Sequence, residues 1–183
     1  MGARDRDNQR SKVYRAEHEF YGPKGFSKDA ADFKTVEECL EFAQKILRDP
    51  KVVEAYPSAT QVAKTIEVKP GQGKRKASAE FYGTVLKLPL WSRRKWVICH
   101  EVAHLLVGPP ASAHGWQFVE CYLLLVRREI SPEASEGLRK TFKQWKVRYT
   151  PPRAKRTFTE EQRQVLRERM QGVNKARRRP EGS

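Results

Sequence analysis

A chain of 183 residues is long enough to bury one core of ordinary size and leaves little room for a second domain. Hydrophobic residues make up 38% and charged residues 32%, which predicts a compact middle between polar ends. The net charge of +15 is unevenly spread: residues 139–183 hold 15 Lys or Arg against 4 Glu, a net of +11, and such a tail favours polyanions. No stretch approaches the roughly eighteen apolar residues of a membrane span, and the first residues lack the apolar run of a secretory signal. Cys39, Cys99 and Cys121 are widely spaced with no C-x-x-C pair, as expected of buried thiols in a reducing compartment. The expectation is a soluble, cytoplasmic protein without membrane contact.

Residues 1–11 read as disordered. Val13 to Phe20 alternates loosely and reads as a strand, ended by Gly22-Pro23-Lys24-Gly25. Thr35 to Leu47 is a helix, with Thr35 and Glu38 forming a capping box and Asp49-Pro50 stopping it. Residues 51–64 carry no clear period. Thr65 to Lys69 alternates as a strand does, Pro70 to Lys74 is a loop, and Ala77 to Tyr82 and Thr84 to Leu88 are further strands broken at Gly83. Pro89 ends the sheet.

Ser92 is the expected cap of the next helix, which carries Trp96-Val97-Ile98-Cys99-His100-Glu101-Val102-Ala103-His104-Leu105-Leu106-Val107. On a helix, residues four apart stack on one face, so His100 and His104 can hold one metal ion. Glu101 beside the first His can reach the ion's open position. The flanks are apolar, so the helix is buried, and a buried Glu needs a partner or a task. Cys99 faces away from the metal and reads as core. Gly108-Pro109-Pro110 ends the helix.

A short link then leads to His114, at the start of a second apolar helix from about Gly115 to Arg128. The reversal brings His114 back towards the first pair as the third ligand, with Glu120 and Glu129 as rivals. Trp116, Phe118, Val119, Tyr122, Leu123, Leu125 and Val126 form a core stripe. Ser131 caps another helix reaching about Lys146, with Pro132 in its first turn and Leu138, Phe142 and Trp145 on one face. Thr150 to Arg156 is a linker. Thr159 and Gln162 open a basic helix over about Glu160 to Met170, and 172–183 read as disordered.

The sequence His100-Glu101-Val102-Ala103-His104 followed by His114-Gly115-Trp116-Gln117-Phe118 resembles the SprT-like and other minimal zincin metallopeptidases. More closely, together with Lys12-Val13-Tyr14-Arg15-Ala16-Glu17 and Leu88-Pro89-Leu90-Trp91, it is similar to metallohydrolases of actinobacteria and their phages. The resemblance implies an HExxH metal helix, a following helix that supplies the third ligand, and metal-dependent hydrolysis. It also implies that a strand before the helix, Thr84 to Leu88, walls the cleft. The Cys-rich zinc ribbon usual in SprT-like enzymes has no counterpart here.

The expected fold is α+β and zincin-like, with a small, mainly antiparallel sheet packed on the metal helix. Its domain spans 12–149, between the disordered 1–11 and a basic linker, helix and tail at 150–183. Three neutral His favour one Zn2+ per chain over the oxygen-seeking magnesium and calcium, and leave a fourth position for water. Glu101 is the expected general base of a peptidase or amidase acting on a peptide or protein. For the oxyanion, Tyr82, Tyr122 and Tyr149 are candidates by residue type alone. The competing reading is a nucleic-acid-binding protein with a structural zinc, in which residues 139–183 bind DNA or RNA without sequence preference.

Overall fold

The computed structural model describes residues 7–22, 31–72, 77–109, 111, 113–151 and 159–177, and at 166 and 171–177 the backbone alone. The chain divides into two compact units, Met1–Pro151 and Pro152–Ser183. The first is α+β, seven helices with a small three-stranded sheet among its described residues.

Helix α1 (Arg10–Tyr21) replaces the strand expected at Val13 to Phe20. Val13, Ala16 and Glu17 are buried, and Phe20 packs on the core beside them. That spacing of three, four and seven is one helical face, which a loose alternation had imitated. The disorder expected over 1–11 reaches too far. Residues 1–6 lie outside the described residues, but Gln9 binds the backbone oxygens of His114 and Arg148.

Helix α2 (Val36–Arg48) has the expected capping box. Thr35 Oγ1 accepts the Glu38 N–H at 3.2 Å and Glu38 accepts that of Thr35 at 3.3 Å. Asp49 ends α2 and caps α3 (Pro50–Ala55), and α4 (Ala59–Thr65) follows, so the unassigned 51–64 is two short helices. Each is too short to show a hydrophobic period.

Strands β1 (Glu67–Pro70), β2 (Ser78–Glu80) and β3 (Val85–Leu88) lie in the order β1-β3-β2. β3 pairs antiparallel with β2 (Ala79 opposite Leu86) and parallel with β1 (Val68 opposite Leu86). The sheet is therefore mixed rather than mainly antiparallel. The cause is that the chain passes beyond β1, turns at 81–84 and inserts β3 between the two earlier strands. The strand expected to wall the cleft, Thr84 to Leu88, is thus the central one, and the edges are β1 and β2.

Helix α5 (Lys95–Val107) is the centre of the domain, packing on α2, α4, α6 and β2. Every residue from Trp96 to Leu106 except His104 is buried. Ser92 does not cap it, since its Oγ donates to the Pro89 carbonyl at 2.7 Å within a 3-10 turn. The first turn is instead held by Asp32, whose carboxylate accepts the Lys95 N–H at 2.9 Å. A cap 63 residues away leaves no local signature. Gly108 closes α5 at φ +53°, where a Cβ would sit 2.2 Å from the Phe81 ring.

Helices α6 (Trp116–Glu129) and α7 (Pro132–Gln144) complete the domain, α7 capped by Ser131 Oγ on the Ala134 N–H at 3.0 Å. Cys39, Cys99 and Cys121 are free and buried. In the second unit, α8 (Glu160–Arg177) opens on the expected Thr159–Gln162 box and runs seven residues past Met170. Helix thus occupies 172–177, where disorder was expected; 178–183 and most of the linker lie outside the described residues. Among the described residues no helix is long and apolar enough to cross a membrane.

Candidate metal centre

The three histidines come from α5 and from the link before α6, and His100 and His114 both contact the Tyr14 ring of α1. His100 and His104 share a face of α5 at the four-residue spacing. His114 precedes α6 in the link that Gly108 turns back, and is 4% exposed. The ligand atoms of His100, His104 and His114 all lie within 4.8 Å of one another. His100 Nε2 and His104 Nε2 are 3.2 Å apart. Zinc–nitrogen bonds of about 2.0–2.1 Å at tetrahedral angles set two donors about 3.3 Å apart, so this pair already has the separation a shared ion requires.

Each outer histidine is gripped from behind by a carboxylate. Glu17 Oε1 lies 2.6 Å from His100 Nδ1, and Asp7 Oδ2 lies 2.6 Å from His114 Nδ1. An ionised carboxylate only accepts, so both Nδ1 atoms carry the proton and both Nε2 atoms keep a lone pair. The Nε2 of His114 is buried and has no hydrogen-bond partner. A lone pair withheld from water with nothing to bind is costly, and a cation supplies what is missing. The set fits a metal ion on donor type, spacing and orientation.

Electrostatics favour the neutral form of two of the three histidines. Burial, with His100 and His114 as neighbours, drives the His104 pKa well down, and burial with His100 lowers that of His114 against the pull of Asp7. Both are therefore held neutral, as ligation demands. Burial also opposes charge on His100, but the Glu17 carboxylate outweighs it and raises its pKa. Glu101, 6% exposed, is pushed up to about 7 by burial, with Glu17 adding and with His100 and the Ala79 N–H opposing.

The Ala79 contact ties edge strand β2 to the base of a cleft of about 430 Å³. Asp7, Arg10, Tyr14, Glu101, His104 and His114 are among its walls. A second, more apolar cavity of about 320 Å³ opens on the other side of Glu101, against Trp91, Trp96 and Val97. Phe118, read as core, is buried and also forms the site's floor, stacked on His104 at 4.3 Å between ring centroids.

Other expected residues lie elsewhere. Glu120 is exposed among α6 and α7 residues, and Glu129 pairs with Lys45 at 2.7 Å. Neither is near the cluster that His114 completes. Tyr82 is 91% exposed and Tyr149 lines a hollow between α6 and α7, whereas Tyr122 is fully buried with its ring edge-on to His100 at 5.4 Å between centroids and its hydroxyl on Tyr21. What sequence reasoning missed is the α1 side of the site: Asp7, Arg10, Tyr14 and Glu17. The spacing of Arg10, Tyr14 and Glu17 by four and three was the available signal, hidden by reading that stretch as a strand.

No protein-family model, curated protein or solved structure matches this chain. Three histidines, two buried and His104 half-buried, lie close enough to bind a metal ion.

Proposed function

We propose that the protein is a zinc-dependent hydrolase of peptide or amide bonds, with a zincin-like arrangement of α5, β2 and the His114 link. The observation that carries this reading is the buried, partnerless Nε2 of His114 aimed at two further imidazoles beside an acidic residue that lines an open cleft. His100, His104 and His114 would hold the ion, and Glu17 and Asp7 would hold the ligands. Zinc so bound supplies Lewis acidity and a water acidic enough to react near neutral pH.

Glu101 would accept a proton from a water in the cleft as the water oxygen joins the carbonyl carbon. It returns the proton to the amine nitrogen as the C–N bond breaks. The edge of β2 offers backbone groups alongside, where an extended substrate can add as a further strand. Glu101→Gln should retain one zinc per chain and the wild-type melting temperature. Its cleavage of a fluorogenic peptide library should fall by about a thousandfold or more, within the range lost with an essential base. Cleavage at the wild-type rate would remove Glu101 from the mechanism.

The basic helix α8 favours one addition. Arg163, Arg167 and Arg169 are solvated, and the +11 net charge of residues 139–183 suits DNA or RNA. This arm would bring the hydrolase to a polyanion. The alternative of a purely structural zinc is less favoured, because such a site has no use for Glu101 in a cleft and usually fills its fourth position with Cys or His. Retardation of DNA at low salt tests the arm.

A further inference from the structure

His100 and His104 sit on α5, where the helix's own hydrogen bonds fix the backbone that carries them. His114 lies instead in the link before α6, whose first turn opens with the Val119 N–H on the Gly115 carbonyl at 3.1 Å. The His114 carbonyl is therefore outside the helix ladder, and a carbonyl on a buried residue needs a partner. Gln9 supplies it, with Nε2 donating to that oxygen at 3.0 Å.

The rest of the Gln9 amide is engaged at Arg148. Nε2 also donates to the Arg148 carbonyl at 3.3 Å, and Oε1 accepts the Arg148 N–H. Both the donor and the acceptor end of the amide are thus in use. Arg148 stands on firm ground, because the preceding Val147 is buried and its N–H bonds the Phe142 carbonyl of α7 at 2.8 Å. Gln9 also opens α1, its carbonyl accepting the Val13 N–H at 2.9 Å, yet its side chain does not cap that helix. The amide reaches across 105 and 139 positions instead.

We infer that Gln9 is a positioning residue of the metal centre, clamping the backbone of His114 to the end of α7. Asp7 orients the imidazole and Gln9 holds the main chain, so the third ligand is gripped at both ends. Both grips come from the turn just ahead of α1. A ligand fixed before the ion arrives loses less freedom on binding, which raises affinity. The inference rests on the metal ion of the hydrolase reading and is independent of the bond that would be cleaved.

The test uses the full chain and reads zinc affinity by chelator competition, with the visible absorption of bound Co2+ reporting ligand geometry. Gln9→Met keeps length and neutrality and removes the hydrogen bonds. It should bind zinc about tenfold more weakly, the lower end of what a ligand's supporting partners contribute, and should alter the Co2+ spectrum. Gln9→Glu keeps an acceptor for the Arg148 N–H but sets another against the His114 carbonyl. It should also lose affinity, although its added negative charge attracts the cation. Ser131→Ala is the control. It removes the cap of α7, at the far end of α6 from His114, so the metal-free melting temperature should fall while zinc affinity stays.

Wild-type zinc affinity in both Gln9 variants would overturn the assignment. So would an equal loss in Gln9→Met and Ser131→Ala, which would mark Gln9 as a support of the fold alone. A wild type that takes up no zinc would overturn the metal centre and this assignment with it. A Gln9 effect on zinc in a protein that cleaves no peptide would overturn the hydrolase reading and leave the clamp standing.

Discussion

Helices α5 and α1 both face the histidine cluster, and they serve it differently. α5 supplies donor atoms at a fixed local spacing, two imidazoles four residues apart with the acid between them. α1 and the residues just before it supply what holds those donors: Glu17 reaches His100 across 83 positions, and Asp7 reaches His114 across 107. The first kind of contribution is a pattern, because one helical turn imposes it. The second is a set of pairings that exists only once the chain has folded. A ligand motif can thus be complete in sequence while half of the site stays hidden.

The sharpest way to break this division is to remove a ligand and a rival. His114→Ala should lower zinc affinity by at least 100-fold, measured by chelator competition, and lower the melting temperature of the zinc-loaded protein, because bound metal stabilises the fold by mass action. Glu120→Ala, on the exposed side of α6, should leave both unchanged. Zinc retained without His114 and lost without Glu120 would reassign the third ligand.

A smaller effect separates holding from binding. Glu17→Gln and Asp7→Asn keep shape but weaken the charged grip on Nδ1, and each should cost about 10–100-fold in zinc affinity without abolishing binding. If either variant loses as much as His114→Ala does, that carboxylate is acting as a ligand. If both bind zinc like the wild type, the α1 contribution to the site is wrong.

The contrast between α5 and α1 also shows how much was legible in advance. The three histidines, Glu101, the capping boxes of α2 and α8 and the Ser131 cap are local patterns, and the structure contains them. The mixed sheet was not legible, because the insertion of β3 between β1 and β2 is a pairing of separate segments that alternation within a strand does not encode. Nor was the Asp32 cap on α5, a contact between distant segments. Helix α1 was misread for a further reason. Glu17 occupies a core position, and a buried charge breaks the apolar stripe that marks a helix unless its partner, His100, is already known.

The smallest expected effect concerns the unit beyond residue 151. Truncation after Tyr149 removes most of the basic tail, so DNA retardation at low salt should weaken and lose salt sensitivity while zinc content stays at one per chain. A full-length protein that fails to retard DNA would dismiss the arm without touching the metal centre.

The central claim is that three imidazoles from two segments converge on one ion. Zinc-edge X-ray absorption of the loaded full-length protein tests it most directly. The account predicts three imidazole nitrogens at about 2.0–2.1 Å with a light oxygen or nitrogen atom completing the shell. Two imidazoles or fewer, sulfur in the shell, or no zinc taken up in stoichiometric amount would contradict it.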